Sequence, residues 1–197
     1  MLRNLHRLLR GDDHTCPRWL CFTFDNPLRR LVHDRRRILA PFVSAGDRVL
    51  DLGPGTGFFT AALADLVGPD GEVVAADIQE SMLAAVARRA DRHGHANVRT
   101  VLVGNRGLEL TEPFDFALMF WMLHEVRDRE TLLRDVRRRL EPDGRLLVVE
   151  PRGHVSGGLF DREIETAGEA GLEVVHRPRV ALSRAALLRP TTGATRA

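Results

Sequence analysis

The chain contains no lysine and no tyrosine, so all 29 basic residues among its 197 are arginine. Guanidinium stays protonated in proteins, which leaves His, Asp, Glu or Cys as the only side chains able to act as a general base. Cysteine is scarce as well. Cys16 and Cys21 are too few for a disulfide framework, and a reducing cytoplasm is the simplest compartment for them. No apolar run approaches the roughly 20 residues that span a bilayer. The opening "MLRNLHRLLRGDD" lacks the apolar core and small-residue cleavage site of a signal peptide. A cytoplasmic protein without a membrane partner is expected. An excess of one charge is also missing, because 27 acidic residues balance the 29 basic ones to a net +2, so no nucleic-acid partner is expected.

What the chain does have is alternation. From Asp47 onward, short apolar runs ("RVLDLG", "EVVAAD", "VRTVLV", "FDFALMF", "RLLVVE", "LEVVHRP", "RAALLR") are separated by stretches with apolar residues at helical spacing. These stretches stop at Gly or Pro-Asp-Gly. Such a pattern predicts an α/β fold with a Rossmann-like, mostly parallel sheet of seven strands. The last two runs lie too close together for a parallel crossover, so the final strand should be antiparallel. Three segments follow: a cap segment with a helix over 1–46, the α/β domain over 47–190, and a small polar tail over 191–197. In the first, "FDNPLRRLVHDRRRIL" reads as one helix with Asn26 as N-cap and Pro27 at the first helical position. The arginine runs on helices read as solvated faces.

The turn after the first run, "VLDLGPGTGFF", places Gly53, Gly55 and Gly57 where missing side chains let the backbone approach a ligand. A dinucleotide fingerprint needs its third glycine one place later, where Phe58 stands, so the nicotinamide reading fails on spacing. Asp77, 20 residues beyond Gly57, ends the second run and can accept both hydroxyls of a ribose. The chain resembles the class I S-adenosylmethionine-dependent methyltransferases through "VLDLGPGTG", "VVAADIQESML" and "RLEPDGRLLVVE", over roughly residues 45–190. The resemblance implies S-adenosylmethionine as cofactor and S-adenosylhomocysteine as product. It implies that Asp51 and the Gly53, Gly55 and Gly57 backbone hold the methionine part, walled by Phe120, while Asp77 holds the ribose and Ile78 and Met82 flank the adenine. Where many relatives have an acidic residue for the adenine amino group, this chain has Asn105, whose carbonyl can still accept.

Catalysis in such a sheet belongs at the carboxyl ends of the strands, which is where "FWMLHEV" and "EPRGH" fall. Transfer to a hydroxyl needs a base, and His124 is the candidate, with Glu125 a weaker one. "FWMLHEV" looks like the small-molecule O-methyltransferases in which a histidine after the fourth strand is the base, though their His-Asp-Trp is here His124, Glu125, Val126. The alternative is a hydrogen-bonded strand-end residue. Trp121, Glu150 and His154 are expected in the substrate pocket, with Trp19, Phe22 and Phe24 of the cap segment over the methyl group. The spacing of His124, Glu125, Glu150 and His154 matches no metal signature, and no metal is expected. The function expected is methyl transfer to a small-molecule acceptor, with oxygen favoured. A thiol, selenium or metalloid acceptor recognised by the Cys16 and Cys21 segment is an alternative, as is a non-catalytic S-adenosylmethionine-binding module acting through a partner.

Overall fold

In the computed structural model the seven apolar runs form the seven strands of one sheet; residues 33–104 and 107–191 are described. Cys16, Trp19, Cys21, Phe22, Phe24, the Asn26 cap, Asn105 and the tail from residue 192 lie outside the described residues. The strands are β1 (Arg48–Leu52), β2 (Glu72–Asp77), β3 (Val98–Leu102), β4 (Phe114–Phe120), β5 (Leu140–Pro151), β6 (Leu172–His176) and β7 (Ser183–Pro190). Their order is β3-β2-β1-β4-β5-β7-β6. Six run one way, and β7 is inserted antiparallel between β5 and β6. Between β1 and β4 the chain changes its direction of travel across the sheet, and such a switch point opens a crevice at the carboxyl ends of both strands.

Alternation along each strand divides the core. Leu50, Leu52, Ala117, Met119, Leu146 and Val148 face α4 (Arg129–Arg139) and α5 (Gly157–Glu169). Val49, Phe116, Leu118, Leu147 and Val149 face α1 (Arg35–Leu39) and α2 (Phe58–Val67). α3 (Glu80–His93) lies beside α2 against β2 and β3. Fully burying each large apolar side chain contributes about 1.5–3 kcal/mol, which is why near-continuous apolar runs settle as strands covered on both faces.

Caps fix the helix starts near the crevice. Asp128 accepts from the Thr131 amide at 3.0 Å and Ser156 from the Leu159 amide at 3.2 Å, so α4 and α5 begin where side-chain oxygens take up orphan amides. Two boundaries differ from the sequence reading. The helix expected to run unbroken to Leu39 does not pass through Asp34, which has extended backbone (φ −69°, ψ 96°) and caps α1 through the Arg37 amide. α4 stops at Arg139, and Leu140 already pairs with Phe114; the Glu141–Gly144 stretch bulges out before Arg145 pairs with Phe116.

Candidate active site

The glycine turn leads from β1 into α2. Gly53, Gly55 and Gly57 all adopt left-handed backbone, with φ of 62°, 56° and 80°, which side chains resist. A Cβ on Gly53 would lie 3.0 Å from Met122 Cβ, whereas one on Gly55 would meet nothing within 4 Å. The turn therefore packs on one side and is open on the other. Asp51, on β1 below it, is buried and accepts from Thr60 Oγ1 at 2.6 Å. Burial pushes its carboxyl up to about 7 against the Thr60 bond, with the charge of Asp77 adding. At the end of β2, Asp77 accepts from the Gln79 amide at 2.9 Å; burial pushes it up to about 6 in spite of the backbone amides around it. Ile78 is partly buried against the α4 and α5 side of the core, and Met82 is buried in the first turn of α3.

Across the crevice, β4 ends at Phe120 and the chain turns sharply. Trp121 has φ 61°, left-handed backbone that costs about 1–3 kcal/mol outside glycine. It is held there because its amide donates to the Val149 carbonyl at 2.7 Å and its indole Nε1 donates to Ser183 Oγ at 3.0 Å. A short 3-10 turn, Leu123–Glu125, then presents His124. Beneath it sits Glu150, with no exposed surface. One of its oxygens accepts from the Leu123 and His124 amides at 2.8 and 3.3 Å, and the other meets His124 Nδ1 at 2.5 Å. A carboxylate at Nδ1 assigns the proton to that nitrogen and leaves Nε2 as the acceptor. Glu125 Oε1 lies 3.9 Å from Nε2. Burial opposes charge on the ring, yet the bond and charge of Glu150, with Glu125 and Glu163 adding, raise His124 above the ordinary imidazole value. Burial likewise raises Glu125, against the pull of His124.

Several expected residues have other places. Glu150, expected to line the substrate pocket, lies behind the histidine, because strand alternation at the end of β5 points it inward under the turn. Phe120 is 7% exposed and its ring packs on Phe59, centroids 4.0 Å apart, as part of the core rather than as an open wall. His154 is exposed on the turn after β5. Among the described residues no group of three or more His, Cys, Asp or Glu could hold a metal. Sequence reasoning missed Thr60, Ser183, Arg129 and Glu163. Arg129 donates from Nε to the Leu123 carbonyl at 3.0 Å and from Nη2 to the His124 carbonyl at 2.7 Å. Glu163 is 1% exposed and 3.5 Å from Arg129 Nε. It occupies the apolar stripe of α5 between Phe160 and Ala167, a signal that was readable.

A family model described as a methyltransferase domain matches residues 43–174, two thirds of the chain, and covers both the glycine turn and the histidine turn. The chain belongs to this family. Similar curated proteins include the ubiquinone/menaquinone biosynthesis C-methyltransferase UbiE of Pasteurella multocida, 42% identical over 110 residues that cover 55% of this chain and 41% of that protein. The protein of the same name from Proteus mirabilis is 41% identical over 121 residues, covering 60% of this chain and 48% of that one. The chain thus matches less than half the length of these relatives. The crystal structure of a SAM dependent methyltransferase from Aquifex aeolicus has the same fold, with a TM-score of 0.78 at 23% identity, covering 88% of this chain and 98% of that one. S-adenosylmethionine is the cofactor of this methyltransferase class, and the residues present fit it. The open side of Gly55 gives access to the turn, and the raised carboxyls of Asp51 and Asp77 would be relieved by a cationic ligand bearing a ribose.

Proposed function

We propose that the chain transfers a methyl group from S-adenosylmethionine to a small hydroxylated acceptor, with His124 as general base, and that the acceptor atom is a ring carbon beside the hydroxyl. The observation that carries the reading is the Glu150 carboxylate against His124 Nδ1, which orients Nε2 as a proton acceptor. When bound, the cofactor supplies an electrophilic methyl on a sulfonium. His124 Nε2 takes the proton of a phenolic or enolic hydroxyl, and Glu150 stabilises the imidazolium that results. Negative charge then spreads over the oxygen and the neighbouring carbon, so one base serves either acceptor atom. The proton displaced from the methylated carbon leaves to solvent, and the imidazolium returns its proton to the oxygen as the ring rearomatises. Oxygen is the acceptor expected from the histidine alone; carbon is preferred here because the similar curated proteins are named C-methyltransferases of quinone biosynthesis. In this reading Asp51 and the glycine turn hold the methionine part, Asp77 the ribose, and the indole of Trp121, fixed by Ser183, borders the acceptor.

The test is label transfer from methyl-tritiated S-adenosylmethionine to a panel of hydroquinones, catechols and thiols, with the methyl position read by NMR. Carbon-methylated hydroquinone is expected. His124→Ala should lower turnover about 10²-fold or more with unchanged affinity for S-adenosylhomocysteine. Full turnover by that variant removes the base from the scheme, and labelling confined to thiols rejects the hydroxylated acceptor.

A further inference from the structure

Glu163 is costly where it stands. Its neighbours on the same stripe of α5, Phe160 and Ala167, belong to the core. Among the described residues neither of its oxygens has a hydrogen-bond donor, although both are buried. A carboxylate in that position is usually less favourable for stability than an apolar side chain of the same size. Packing alone would place Leu or Met there.

What Glu163 faces is Arg129, at 3.5 Å from Nε. Arg129 stands at the first residue of α4, and its guanidinium is already committed to the carbonyls of Leu123 and His124. The amides of the same two residues are held by Glu150. The histidine turn is therefore gripped on its donor side by β5 and on its acceptor side by α4, with α5 supplying the counter-charge that keeps the second grip in place. We propose that Arg129 and Glu163 are a positioning pair, which fixes the His124 turn by its carbonyls and sets the electrostatic environment of the imidazole from behind. Among the described residues the charged groups acting on that imidazole are Glu150 from β5, Glu125 from its own turn and Glu163 from α5, while Arg129 from α4 holds the backbone carbonyl of His124. Burial, then the charge of Glu150, push Glu163 up to about 7 against Arg129 and His124, so its own charge changes in the range where the histidine works. The proposal rests on the reading of His124 as base, which it extends to a second layer of residues.

Three measurements on Glu163→Gln and Glu163→Met test the pair. With the negative charge gone, the His124 titration followed by imidazole NMR should move to lower pH in both variants. The thermal midpoint of Glu163→Met should be equal to or above that of the parent chain. Turnover should fall about 10-fold or more in both, with the affinity for S-adenosylhomocysteine unchanged. Arg129→Met should lose turnover similarly. A Glu163→Met protein with parental turnover and an unmoved His124 titration overturns the pair and leaves the base reading standing. If instead no acceptor is ever methylated, the NMR titration still decides whether Glu163 governs the imidazole, because it requires no turnover.

Discussion

Glu150 decides what His124 can do, because a buried carboxylate at Nδ1 settles both the tautomer and the proton affinity of the ring. Replacing it by Gln removes the charge while keeping the shape. The rising limb of the pH profile of kcat/KM should then move to lower pH, and turnover should drop by about 10²-fold or more, since a side-chain amide can also impose the wrong tautomer. An unmoved limb would separate His124 from the rate. At the opposite wall, Asp51 and Asp77 are raised to about 7 and about 6, and a cationic ligand favours their ionised forms. Affinity for S-adenosylmethionine, measured calorimetrically, should strengthen as pH rises from about 5.5 to 8, and Asp77→Asn should flatten that dependence. The positions of Asp51 near the end of β1, Asp77 at the end of β2 and His124 just beyond β4 were legible in the sequence, because apolar runs that give way to polar residues mark the carboxyl ends of parallel strands. Glu150 was legible as a site residue but not in its role, since only the pleat decides which way a strand-end side chain points. Arg129 was hidden among other arginines of its helix.

At the level of elements, the turns at the two ends of α2 hold two kinds of glycine. A Cβ on Gly55 meets nothing in the protein, so Gly55→Ala should lose only about 1–2 kcal/mol for its left-handed backbone. Its affinity for S-adenosylmethionine should nonetheless fall tenfold or more, because the methyl enters the open side of the turn. Gly71 is the converse: a Cβ there would sit 2.6 Å from Val67 Cβ and 2.7 Å from the Asp47 carbonyl. Gly71→Ala should lower the thermal midpoint by several degrees while the folded fraction binds cofactor normally. Equal effects on both quantities in both variants would contradict this division. The elements themselves followed from periodicity, since an apolar run between helical stretches has few other ways to bury itself. Their ends did not. Asp34 caps a helix start inside a stretch that reads as one helix, and the Glu141–Gly144 bulge puts a turn signal inside a strand, because Leu140 finds a partner in Phe114 before the turn is made.

For the whole molecule, the buried acids act together. Asp51, Asp77 and Glu163 have carboxyls raised by burial, and His124 is raised by its partners. A raised value means that the folded state holds protons more tightly than the unfolded chain, so the stability these groups contribute is present at low pH and is lost as pH climbs. For the three acids the window runs from the ordinary carboxylate range to about 7, and for the histidine it begins at the ordinary imidazole value. The thermal midpoint of cofactor-free protein should therefore fall between about pH 5 and 8, and the upward shift caused by S-adenosylmethionine should grow over the same interval. A midpoint that rises across this interval would mean that other groups dominate. The reversed direction of β7 was legible from the short connection before it, but its insertion between β5 and β6 was not. What "HTCPRWLCFTF" packs against was not legible, since it has no period that fixes a partner.

The insertion of β7 between β5 and β6 also imposes an order on biosynthesis. Residues of β1, β2 and β3, which carry the glycine turn and Asp77, leave the ribosome early and can pair with one another at once. β5 has one neighbour in β4, but its other edge stays bare until Ser183–Pro190 has been made, and the indole of Trp121 waits for the same Ser183. A nascent chain thus passes through a stage in which the side with the glycine turn is assembled while an apolar strand edge beside the His124 turn remains open to mispairing with other chains.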